Sequence, residues 1–199
     1  MADFSRYLPL SQRPPVDESG VSNDWRALTA GRLEGLVARA TGPSTGTLTT
    51  SDAALLAVLA DRLEATRMQR LARRVGVADG VAGASPDVDA TLVRLSAVAA
   101  ARRAGGGPNG IAELVEVVRT EARCHSLGPV PALDPMVAGS IALYALTRAP
   151  VSVRAAVAGR TLAPIDAPWR LGHGAELRTD TAAVLDFLLD DGPMPHEVA

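Results

Sequence analysis

Hydrophobic positions along most of this chain recur every three or four residues, the period of an amphipathic helix; after Pro150 the period falls to two. The cleanest helical run places Ile111, Leu114, Val115, Val118 and Ala122 at i, i+3, i+4, i+7 and i+11. Glu113, Glu116, Arg119 and Arg123 take the other side, and Gly128-Pro129 stops the run. Three helices are predicted before it. The first runs from Asp24 to Ala40, capped by Ser22 or Asn23 and stopped at Gly42-Pro43, with Leu28, Leu33, Leu36 and Val37 as its apolar positions. A Ser/Thr/Gly linker over 41–50 leads to the second, capped by Ser51 or Asp52 and running to Val75 before Gly76. The third opens at Ser85-Pro86, carries Leu92, Leu95 and Val98, and breaks at Gly105-Gly106-Gly107-Pro108. A fifth helix, from Asp134-Pro135 to about Arg148, is apolar nearly all round through Met136, Val137, Ile141, Leu143, Tyr144 and Leu146, which predicts a place at the centre of the bundle.

Beyond Pro150, Val151, Val153, Ala155 and Val157 alternate with Ser152, Arg154, Ala156 and Ala158, the signature of a strand with one buried face. Gly159-Arg160 then reads as a turn into a second strand over 161–163, with a third over 169–171. A last helix over 181–189, capped by Thr179 or Asp180, carries Val184, Leu185, Leu188 and Leu189. These patterns predict an α+β protein: an extended N-terminal arm over 1–21, a helical bundle of five helices over 22–149, a small α/β module over 150–191 and a loose tail over 192–199. No internal repeat is visible.

Composition sharpens the picture in three ways. At 199 residues, with 47% hydrophobic and 21% charged residues, the chain is long enough for one fair-sized core or two small ones, and disorder throughout is not expected. Aromatic residues make up 3%, so that core is built from Ala, Val and Leu, which pack closely and bury little area each. The net charge of −2 lacks the cationic surplus that nucleic acid requires, and no apolar run approaches the length of a membrane span or follows a signal-peptide pattern, so a cytoplasmic protein is expected. All twenty cations are Arg; with abundant Ala, this is what GC-rich actinobacterial coding produces.

Candidate chemistry is sparse. Cys124 is the one cysteine, which excludes an intrachain disulfide and an all-cysteine metal site. Glu121 and His125 stand at i and i+4, a spacing that lets two side chains share a metal ion beside Cys124; the alternative is a solvated helix end whose histidine complements the dipole. Further ligands for an ion would come from Asp134 or His173, and His173, between two glycines, is expected on an exposed loop. Gly105-Gly106-Gly107 precedes a helix but lacks the Lys-Ser/Thr and the preceding strand of a phosphate loop, and no serine sits in a nucleophile elbow. No cofactor and no metal are expected on these residues.

Two features point to a partner instead. Phe4, Tyr7, Leu8 and Leu10 enrich the arm in apolar and aromatic side chains ahead of Pro14-Pro15; such an arm lies on its own domain or docks on another subunit. In the second helix, Leu55, Leu56, Leu59 and Leu63 define a core face whose azimuth is taken over past Thr66 by Arg67, Arg70, Arg73 and Arg74, with Arg102 and Arg103 candidates to lie near. That stripe is a solvated face, or a contact for an acidic partner or phosphate through forked hydrogen bonds.

The run from Val153 to Leu162, then Asp166-Ala-Pro-Trp169, Leu171-Gly-His-Gly174 and the Leu-rich helix over 181–189 resembles the C-terminal module of the actinobacterial maleylpyruvate-isomerase-like family. The resemblance implies a DinB-like helical domain with three metal-binding histidines, mycothiol as thiol cofactor, and a small C-terminal α/β module similar to sterol carrier domains. This chain has His125, His173 and His196 and no His-x-x-x-His pair, so the resemblance is carried by its C-terminal module. Two functions follow: a non-catalytic accessory protein binding a protein partner, or itself, through Phe4, Tyr7, Leu8 and the arginine stripe, and a metal- and thiol-dependent isomerase or transferase of that family. The sparse catalytic side chains favour the first.

Overall fold

The computed structural model describes residues 24–42, 48–65, 87–128, 130–190 and 192–197. The arm with Phe4, Tyr7 and Leu8, and the arginine stripe of Arg67, Arg70, Arg73 and Arg74, lie outside the described residues. Within them the architecture is α+β and predominantly helical, with a three-stranded sheet and a C-terminal helix.

Helix α1 spans Trp25–Thr41, capped by the side chain of Asp24 rather than by Ser22 or Asn23. Helix α2 spans Thr50–Glu64 with Thr49 as cap, and buries Leu56, Leu59 and Leu63 as its first-half pattern requires. Helix α3 spans Val88–Arg103, and its cap is Asp87, two residues past the expected cap Ser85. Helix α4 spans Ile111–Arg123, and α5 spans Pro135–Arg148 with Asp134 as cap and proline in its first turn.

Two hydrophobic clusters form the core, and α4 is the wall between them. Leu114, Val115 and Val118 face one, with Ala138, Ile141, Ala142 and Ala145 of α5 and the C-terminal strands and helix. Val117 joins the other, with Leu33 and Leu36 of α1, Leu56 and Leu59 of α2, and Leu92 and Leu95 of α3; Cys124 and Leu127 just beyond α4 complete it. The expectation that the fifth helix lies at the centre is therefore corrected. Helix α5 buries a small-residue stripe and leaves Met136 and Leu143 more than half exposed, while α4 takes the central position. Glu113, expected on the outer side of α4, is 7% exposed. It takes the Arg102 guanidinium through two hydrogen bonds of 2.7 and 3.0 Å.

That pair accounts for the glycine run. Gly105 and Gly107 both have φ of +80°, and a Cβ on Gly107 would stand 2.0 Å from Nη1 of Arg102. The run ends α3 and gives Arg102 room to turn inward. Neither Arg102 nor Arg103 is free to extend a stripe, because Arg103 pairs with Glu34 of α1.

The strand expected over 151–157 is a short helix, α6, at Val151–Ala156. Val153 and Val157 stand at i and i+4 as well as on one face of an alternating pattern, and the intervening Arg and Ala favour helix. With Val153 half-buried and Val157 buried, one turn of helix satisfies the same two apolar side chains. Strand β1 follows at Arg160–Pro164, then β2 at Leu171–Gly172 and β3 at Ala175–Thr179. Strand β1 is central, antiparallel to β2 (Thr161 opposite Gly172) and parallel to β3 (Leu162 opposite Leu177). The chain must cross beneath the start of β1 between its two neighbours, and Gly172-His173-Gly174 makes that crossing. A Cβ on Gly174 would meet the Gly159 carbonyl oxygen at 2.1 Å and one on Gly172 the Arg160 oxygen at 2.5 Å, and both residues have φ near +100°, at +118° and +98°. Helix α7, Thr181–Leu189, is capped by Asp180 as expected and packs on α5, α4 and β1.

A candidate ligand-binding cleft along the last helix

Between α4, α7 and the loop ahead of α5 lies a cleft of about 200 Å³. One wall is the α7 face at i, i+3, i+4 and i+7: Ala182, Leu185, Asp186 and Leu189. Val118 and Ala122, one turn apart on α4, form the second, and Val130, Pro131, Ala132, Leu133 and Pro135 form the third. Asp166 and Thr181 stand at one end, where Asp166 Oδ1 accepts hydrogen bonds from the Thr181 amide (2.9 Å) and hydroxyl (2.8 Å). At the other end Arg119 and Arg123 tie α4 to α7. Arg119 donates to the Leu189 carbonyl at 3.1 Å, and Arg123 donates to Asp190 at 2.6 Å.

The proline-rich wall is held from a distance by Glu121. That carboxylate, 2% exposed, accepts Nε and Nη2 of Arg32 at 2.9 and 2.5 Å and also pairs with Arg39. Arg32 in turn donates from Nη1 to the Pro131 carbonyl at 3.0 Å. A buried carboxylate on α4 thus orients an arginine on α1, which fixes the loop bounding the cleft.

The metal-ligand reading of Glu121 and His125 is corrected by this network. Glu121 is turned into the fold toward two arginines, whereas His125 is exposed on a 3-10 turn at His125–Leu127. The solvated-end alternative fails for Glu121 for the same reason. Cys124 is fully buried; burial, with Asp52 and Glu121 adding negative charge nearby, pushes its thiol up to about 12. Asp52 departs the other way. Burial acts to raise its carboxyl, but hydrogen bonds from Ser126 and Thr49 and the nearby His125 hold it below its ordinary value. His173 is exposed at the tip of the crossing turn, and Asp134 is committed to the α5 cap. Among the described residues no three His, Cys, Asp or Glu side chains gather closely enough to hold a metal ion.

Sequence reasoning missed the cleft because its walls come from three distant segments. One part of its chemistry was readable: past Arg178 the chain holds Asp180, Asp186, Asp190 and Asp191 and no further arginine. Among the described residues Arg123 takes Asp190, Asp180 caps α7, and no hydrogen bond or ion pair is made by the Asp186 carboxylate. Burial, reinforced by Asp190 and Asp180, raises the Asp186 carboxyl above its ordinary value. No helix of the described residues is long and apolar enough to cross a membrane. Comparison with family models, with curated proteins and with solved structures finds no match, so function rests on the residues of this chain.

Proposed function

We propose that this chain is an intracellular binding protein rather than a catalyst, with the cleft along α7 as its ligand site. Its N-terminal arm and arginine stripe serve as contacts to a protein partner. The observation that carries this reading is the cleft itself: a concave, mostly apolar slot with a few polar groups at its edge, which is the general form of a small-molecule site. The hydroxyl of Thr181 does donate to Asp166, but the same carboxylate oxygen also takes the Thr181 amide, an arrangement suited to fixing the start of α7. The side chains that do have strong mutual interactions, Glu121 with Arg32 and Arg39, are spent on holding one wall in place.

The arm and stripe enter on sequence grounds. Phe4, Tyr7 and Leu8 supply apolar anchors, and Arg67, Arg70, Arg73 and Arg74 supply forked donors for an acidic surface. Two measurements separate the parts of this proposal. Titration of the full chain with small apolar probes, followed by amide chemical shifts, should perturb Ala122, Leu133 and Leu185; an absence of shifts there rejects the cleft. Replacing Arg70 and Arg74 with Glu should weaken a partner complex or self-association in a salt-dependent way. Association unchanged at low and moderate salt rejects the stripe.

A further inference from the structure

We infer that the cleft takes a small amphipathic amine, its apolar body between Leu185 and Val118 and its protonated nitrogen beside Asp186. This rests on the cleft being the binding site proposed above. Size limits the body: a cavity of roughly 150 Å³ holds a benzene ring, so about 200 Å³ admits one ring or a short branched chain with a two-atom tether.

Charge decides the head group. Asp186 shares the cleft face of α7 with Leu185 and Leu189, in the last turn of that helix, where the backbone dipole already presents negative charge. A carboxylate there is unfavourable, and a cation is the usual occupant of such a turn. The helix carries none of its own in its last turn; Arg119 and Arg123 of α4 both donate to the Leu189 carbonyl, and they pair with Glu116 and Asp190 rather than with Asp186. Asp166, at the end of the slot, adds a second carboxylate whose Oδ1 is held by Thr181. An ammonium group supplies the counter-charge that the Asp186 carboxylate lacks among the described residues, whereas an anionic ligand would meet two carboxylates in the lining of a slot whose walls are apolar.

The test uses the full chain, 2-phenylethylamine and its neutral analogue 2-phenylethanol, with amide chemical shifts as the readout. The amine should shift Leu185, Ala122 and Leu133, and should bind at least about tenfold more tightly than the alcohol, the effect of one charge-assisted hydrogen bond. Asp186→Asn, at an exposed side chain without a partner among the described residues, should bring the amine's affinity down to that of the alcohol. Equal binding of both probes overturns the amine assignment and keeps the cleft as a site. Binding of neither overturns both readings. An amine advantage that survives in Asp186→Asn overturns the role of Asp186, as do contacts from Phe4 or Tyr7 to Leu185 in the free protein, which make the arm the occupant.

Discussion

The Trp169 ring lies against the backbone of Gly139: a Cβ added to that glycine would stand 2.8 Å from ring atoms Cγ and Cδ1. Gly139 sits inside α5, where glycine ordinarily weakens a helix by about 0.5–1 kcal/mol relative to alanine. Here the missing side chain is what lets the loop after β1 pack onto α5. Gly139→Ala should therefore destabilise the protein by about 1–3 kcal/mol despite the gain in helix propensity. Gly31 and Gly35 on the exposed face of α1 have nothing within 4 Å of an added Cβ, so alanine at each should stabilise by about 0.5–1 kcal/mol. Denaturant melts of the three variants check the contrast; a destabilised Gly31→Ala, or a stabilised Gly139→Ala, contradicts it.

Glu113 and Glu116 are one turn apart on α4 and differ in what they hold. Glu113 and Arg102 are both under 10% exposed, so removing either leaves a buried charge without its partner. Glu113→Ala should cost about 3–5 kcal/mol. Glu116 is more exposed and joins Arg62 and Arg119 near the surface, and its replacement by alanine should cost about 1 kcal/mol or less. Equilibrium unfolding of both variants at one pH decides. Equal small losses would mean that Arg102 finds other partners.

The distribution of success in the sequence reading follows from which interactions are local. Helix α7 and its Asp180 cap, and α5 with its Asp134-Pro135 start, are legible because cap, period and stop lie within fifteen residues of one another. Helix α6 reads as a strand in the sequence because Val153 and Val157 satisfy a strand and a helix equally, and β3 carries no strand signal because Ala-Glu-Leu-Arg-Thr contains one large apolar residue. The dual role of α4 was hidden by the polar identity of Glu113, whose burial depends on an arginine eleven residues back. The cleft depends on Arg32 reaching Pro131, a contact no local pattern encodes. The acids of the last helix, with no arginine beyond Arg178, are legible in the sequence itself.

The crossing turn in the sheet separates a structural motif from a functional one. Gly172 and Gly174 flank an exposed histidine, a pattern that invites a ligand-facing role for His173. The backbone gives each glycine its own reason: positive φ and an oxygen less than 3 Å from where a Cβ would be. Gly174→Ala should cost about 2 kcal/mol or more, because strain in φ and a clash with the Gly159 carbonyl add together. His173→Ala should change stability by about 0.5 kcal/mol or less and leave probe binding in the cleft untouched. A loss of binding in His173→Ala would return that residue to the functional site.

Cys124 shows how burial controls the one thiol of the chain. It has no exposed surface, belongs to the cluster formed with α1, α2 and α3, and has Asp52 and Glu121 near enough to oppose a thiolate, while Arg39, which outweighs Glu121, acts the other way. A thiol pushed up to about 12 is ionised in roughly one molecule in ten thousand at pH 8, against about one in ten for an ordinary value near 9. Since the thiolate is the nucleophile and the thiol is buried, alkylation by iodoacetamide at pH 8 should be at least about tenfold slower in the folded protein than in denaturant. The sign of the linked pH dependence follows. The folded value lies above the unfolded one, so this contribution to stability is complete below about pH 9 and is lost as pH rises from there toward 12. Mass spectrometry of the alkylation time course, with and without denaturant, reads the first effect, and melts at pH 8 and pH 10.5 read the second against a Cys124→Ala reference. Rapid labelling of the folded chain would show that the cluster around Cys124 opens readily, and would reopen a thiol-based chemistry for this protein.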